Sequence, residues 1–161
     1  MTKLVHVAIT TAAALLSTGG AAPRMADLPT TPVIREIADP ALRDVAVAVY
    51  DSVRPVIYYN PVRMQHFEPE MRAFFLAHER AHIELHHTRA SALRADAGQR
   101  DSLLQAKELD ADCIAAQRLG HEHAGTTMAA VHFFARLGDG HFDGEHPPGS
   151  VRAARLLACM P

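Results

Sequence analysis

Residues 78–82 read His78, Glu79, Arg80, Ala81 and His82, two imidazoles bracketing a carboxylate in the spacing H-E-x-x-H. On a helix, residues four apart share a face, so both rings can grip one zinc ion while Glu79 stands beside the water on it. Composition alone expects roughly 0.04 such matches in a chain of this length, so the motif is informative without being decisive. Helical phase adds to it. Met71, Phe74, Phe75, His78, His82 and Leu85 follow the i, i+3, i+4 progression of one buried stripe. Buried imidazoles need partners for their nitrogens, and a metal is one solution. A hydrogen-bonded pair of core histidines, with Glu79 incidental, is the other.

A hydrolytic zinc site wants three protein ligands and one open position. A metzincin would carry Gly at 85 and His at 88, where this chain has Leu85 and Thr88, so that class is excluded. His86 lies a turn beyond His82, and His86 and His87 read as solvated residues favoured at a helix C-terminus by its dipole. The next helical stripe, Leu104, Glu108, Ala111, Asp112, Ala115 and Leu119, carries two carboxylates among apolar side chains. Buried acids are costly unless paired. Glu108 as third ligand resolves one, and Asp112 accepting the distal N–H of a ligating histidine resolves the other. Asp110, about 160° round the helix from Glu108, belongs in solvent. An ordinary acidic run on a solvated face is the competing reading.

H-E-x-x-H followed by a helical E-x-x-x-D, here Glu108 to Asp112, resembles the gluzincin zinc peptidases. The likeness is to the compact minigluzincins and the catalytic domain of HtpX-type and CAAX prenyl proteases, and it covers about residues 54–157. Those proteins continue to a His-Pro element and an Arg-bearing final helix, matched here by His146-Pro147 and by Arg152 or Arg155. The resemblance implies a zinc metalloendopeptidase with His78, His82 and Glu108 as ligands and Glu79 as general base. It implies an extended peptide or unfolded protein as substrate. The family's membrane helices are missing, so membrane-embedded substrates are not carried over. The interval from His82 to Glu108 is short and leaves little room for a specificity subdomain. His146 is placed to reach the oxyanion or touch the metal, against a plain loop histidine. For Arg152, pairing with a core acid is the preferred role. A non-catalytic module of the same fold, holding zinc and presenting a peptide groove, is the alternative function.

These residues need elements to position them. Glu68-Pro69-Glu70 predicts a helix start, with Pro at the first helical position and acids in the first turn; that helix runs to about residue 87. A second begins near 101 or 102 and stops before Gly120, a third covers 124–137, and a last one 150–159. Ahead of them, residues 45–50 and 56–60 are β-rich and predict a hairpin, with Pro55 and Pro61 bounding its second strand as an edge. That strand is the expected surface for pairing with a substrate backbone; a helix over 41–53 competes with it. Four prolines make 23–40 an extended lead-in with at most a short turn near 34–37. The expected architecture is α+β: a helical zincin-like domain over 41–161 with a small sheet or hairpin before the active-site helix.

The other histidines are less informative. His66, His121, His123 and His141 read as surface residues, and His132, beside Phe133, Phe134 and Met128, as helix packing. Ten of the 11 histidines lie after residue 60.

Composition sets outer bounds. The 161 residues include 16 basic and 18 acidic side chains and are 48% hydrophobic, enough for one domain with its own core. A net charge of -2 argues against nucleic acid or an anionic membrane as partner. No Trp and 6% aromatic content disfavour base-stacking platforms. Residues 1–22 combine Lys3, an apolar stretch and small residues, the pattern of a secretory signal peptide too short to span a bilayer. Cleavage there leaves 15 basic against 18 acidic residues and predicts export, with a bacterial periplasm as compartment and no stable membrane anchor. In that setting Cys113, about 140° from Glu108 on its helix, and Cys159 are expected to form a disulfide rather than remain two independent thiols.

Overall fold

The structure, a computed structural model, describes residues 33–49, 54–87, 96–140 and 144–161. Residues 1–22, expected as a signal peptide, and His141 lie outside the described residues. Among the described residues the architecture is α+β: a three-stranded sheet and five helices.

Strands β1 (Arg35–Ala38), β2 (Ala46–Val49) and β3 (Val56–Tyr59) are arranged in the order β1-β3-β2. β2 and β3 pair antiparallel with Ala48 opposite Ile57, which is the expected hairpin. The segment expected as a lead-in with at most a short turn instead supplies β1, which runs parallel to β3 with Ile37 opposite Tyr58. That addition moves β3 to the centre. The expectation that residues 56–60 form an edge is therefore corrected: both sides of β3 are paired, and β1 and β2 hold the edges.

Asn60 converts the sheet into helix. Its side-chain oxygen accepts from the N–H groups of Val62 and Arg63, capping the short helix α1 (Pro61–Met64) with Pro61 at its first position. Its amide nitrogen donates to the carbonyls of Pro40 and Leu42 at 3.1 and 2.7 Å. One buried side chain thus ties the β1–β2 connection to the helix start.

Helix α2 (Pro69–Glu84) begins where Glu68-Pro69 predicts and ends three residues earlier than expected. Helix α3 (Ala97–Glu122) is longer than expected at both ends and passes through Gly120, because a single glycine only weakens a helix that has packed neighbours. Helix α4 (Ala124–Leu137) stops at Gly138, whose φ of 59° is a backbone conformation that glycine adopts without strain. Helix α5 (Gly149–Cys159) crosses the end of α4 so closely that a Cβ on Gly149 would meet the Phe134 carbonyl oxygen and lie 2.7 Å from Leu137 Cβ.

The core lies where α2, α3, α4 and α5 meet: Met71 and Phe74 from α2, Ala115 and Ala116 from α3, Ala130, Val131 and Phe134 from α4, Ala153 and Leu156 from α5. The alanines let α3 approach its neighbours closely, and Phe74, Phe134 and Leu156 each contribute about 1.5–3 kcal/mol of burial. The Cys113–Cys159 disulfide ties α3 to α5 across 46 positions of sequence. No helix of the described residues is long and apolar enough to cross a membrane.

Candidate metal centre

The stripe expected on α2 is the one that packs: Met71, Phe74 and His78 are buried, and Phe75, His82 and Leu85 are partly so. On α3, Ala111, Asp112 and Ala115 are fully buried, with Leu104, Glu108 and Leu119 at the margins. Packing of α3 on α2 brings the polar members of the two stripes together.

His78 Nε2 lies 3.0 Å from His82 Nε2, and Glu108 joins both, with Oε2 3.1 Å from His78 Nε2 and Oε1 3.2 Å from His82 Nε2. Three donor groups from two helices thus converge, and the trio could hold a metal ion. Ligands about 2.0–2.1 Å from a tetrahedral zinc would be separated by about 3.3 Å, close to these distances. The donor set is of a type zinc accepts, imidazole nitrogen and carboxylate oxygen. The residues fit the ion.

His78 has a partner behind it. His78 Nδ1 is buried and faces Asp112 Oδ1 at 2.9 Å, off the straight hydrogen-bond line and without another partner. Asp112 is fully buried and receives a two-pronged grip from Arg152, Nε to Oδ2 at 2.8 Å and Nη2 to Oδ1 at 2.7 Å. The guanidinium lies 4.0 Å over the Phe134 ring. The expected positions of Asp112 behind a histidine and Arg152 on a core acid are therefore both present, joined in one chain of contacts.

The electrostatics follow from this crowding. Burial opposes a charged His78, yet the Asp112 and Glu108 carboxylates, each in close polar contact with its ring, raise its pKa to about 10. Burial would likewise raise Glu108, but His78 and His82 hold it far below the usual carboxylate range. Asp112 is also lowered, against its burial, first by the charge of Arg152 and then by its hydrogen bonds.

Glu79 lines the same cleft, about 520 Å³ in volume, and its Oε2 accepts a 2.6 Å hydrogen bond from the Ala48 N–H of β2. His146 reaches the cleft from the loop before α5, with Nε2 3.6 Å from Glu108 Oε2. Asp110 is exposed and pairs with Arg155. His66, His123 and His132 are exposed, so His132 does not share the packing of Phe133 and Phe134.

His87 corrects the expectation of a solvated helix end. It is half-buried, lines the cleft, and places its Nδ1 3.2 Å from His82 Nδ1. Burial, then the charges of His82 and Lys107, lower its pKa to about 4. Continued as a helix, residue 87 would point about 140° away from His82; only the turn ending α2 folds it back. The one cue in the sequence was the density of histidine itself.

No family model, curated protein or solved structure matches the chain.

Proposed function

We propose that this chain is an exported zinc metallopeptidase of the gluzincin type, cleaving extended peptide or unfolded protein. The observation that supports it most is the convergence of His78, His82 and Glu108 from two helices, with Glu79 in the same cleft. Zinc bound there supplies Lewis-acid polarisation of a peptide carbonyl and acidifies water. The Glu79 carboxylate takes the proton from the attacking water and delivers it to the leaving amine, as base and then acid. Its orientation is supported by the Ala48 N–H. His146, at the cleft mouth, hydrogen-bonds the oxygen that gains charge in the transition state.

Substrate pairing belongs to β2 rather than to β3, whose two sides are both taken. Residues 43–48 border the cleft along the free side of the sheet, and an extended backbone adds there as a further strand. Phe67, Phe75 and Phe133, packed edge to face at 4.9–6.2 Å, line the same cleft and suit an apolar side chain. The disulfide agrees with an oxidising compartment, the bacterial periplasm in this proposal.

The hydrogen bond from Ala48 to Glu79 also favours a second reading, in which Glu79 fastens β2 to α2 and the domain binds peptide without cutting it. Purified mature protein separates the two. Hydrolysis predicts about one equivalent of zinc, cleavage of an unstructured peptide library that a chelator abolishes, and loss of cleavage with zinc retained in Glu79→Gln. Zinc uptake with peptide binding but no turnover would leave the binding module.

A further inference from the structure

Helix α2 ends in a Schellman turn. The His86 N–H donates to the Ile83 carbonyl at 3.1 Å and the His87 N–H to the His82 carbonyl at 2.9 Å, while His86 takes a φ of 53°. In such a turn the second residue past the cap folds back over the last helical turn, and the contact it makes there is ordinarily apolar. Here the two positions that meet are His87 and His82, and the contact is imidazole against imidazole. Ring centres are 5.3 Å apart and the Nδ1 atoms 3.2 Å apart.

An imidazole that offers Nε2 to an ion carries its proton on Nδ1, and that N–H needs an acceptor where water is excluded. Asp112 stands opposite His78 Nδ1. Among the described residues the group opposite His82 Nδ1 is His87. Its Nδ1 meets the Nδ1 side of the His82 ring, away from the Nε2 that faces His78 and Glu108, so it is not a fourth ligand to the same ion.

We propose that His87 is a positioning residue of the metal centre: its Nδ1 lone pair accepts the His82 Nδ1–H, which fixes the ring orientation and the tautomer that leaves His82 Nε2 for the ion. This rests on the metal-binding part of the reading above and not on catalysis. The two ligands are then held unequally, His78 by a carboxylate and His82 by a neutral ring. The strained residue His86 acquires a reason, since the left-handed turn is what returns His87 to the helix.

The test compares wild-type protein, His87→Ala and His87→Gln. Zinc affinity is measured by competition with a chromogenic chelator, and the His82 Nδ1 proton is followed by nitrogen-15 NMR in the zinc-loaded protein. His87→Ala is expected to weaken zinc about 10–100-fold and to speed exchange of that proton. His87→Gln, whose side-chain carbonyl accepts the same hydrogen bond, is expected to restore most of both. Wild-type affinity and proton exchange in His87→Ala would overturn the proposal, as would a Gln variant no better than Ala, which marks a packing role. Both outcomes leave the metal centre standing. A wild-type protein that takes up no zinc overturns the centre and this role together.

Discussion

Replacing Arg152 with Met tests the support behind the candidate metal centre. The guanidinium makes two short hydrogen bonds to Asp112, and the two side chains are 7% and 0% exposed. Methionine matches much of the volume but leaves the Asp112 carboxylate buried without its cation. Breaking one side of a buried pair costs about 3–5 kcal/mol, and loss of the contact over Phe134 adds about 1 kcal/mol. Against a total stability of about 5–15 kcal/mol this is a large fraction. Asp112→Asn strands the arginine instead and is expected to cost a comparable amount. The double variant removes both charges, so its cost should fall short of the sum of the singles by about 2–3 kcal/mol. The assay is urea unfolding of the four proteins with the disulfide intact and a chelator present. An Arg152→Met cost below about 1 kcal/mol, or an additive cycle, would refute the claim that this pair carries a desolvated charge.

Three further outcomes follow from the same geometry. With its folded pKa raised to about 10 from 6.5, His78 contributes stability to the metal-free protein that is full below the lower value and lost as pH rises through the upper one. Zinc must displace that proton, so calorimetry at about pH 8 in buffers of different ionisation enthalpy should report close to one proton released per ion; a value near zero contradicts the assignment. Reduction of the Cys113–Cys159 bond, or Ser at both positions, should cost about 2–4 kcal/mol, because it frees a closed loop spanning 46 positions. Equal melting temperatures with and without reductant would count against it. His86→Gly, which accepts a φ of 53° more readily, should raise stability by about 0.5–1 kcal/mol and the melting temperature by about 1–4 °C, whereas a fall would mean that the His86 side chain itself holds the turn.

What the sequence made legible was whatever depends on spacing along one helix. At 100° per residue, the phase of His78 and His82 on α2, and of Glu108 and Asp112 on α3, places them among apolar side chains before any contact is known. The opposed phase of Cys113 likewise suits its bond to Cys159. Relations between elements were harder to read. Whether β3 is an edge depends on β1, a four-residue strand of mixed polarity flanked by prolines, and nothing local distinguishes it from an extended loop. His87 is hidden for a related reason: its direction is set by a turn, and the residue at the left-handed position is His86 rather than the glycine that usually announces such a turn.

The same contacts bear on whether His78 and His82 are a metal pair or a pair of core histidines. Core histidines are stable when each ring nitrogen meets a complementary group, a donor for a lone pair or an acceptor for an N–H. Here two Nε2 atoms face each other at 3.0 Å and both face a carboxylate, so three groups rich in lone pairs share one space. A single proton on His78 satisfies some of these contacts and leaves His82 Nε2 to find its own. A dication could satisfy all of them at once, with Asp112 and His87 facing the outer nitrogens. The arrangement holds a proton on His78 when empty and could hold a dication in its place, an exchange that a structural hydrogen bond does not require.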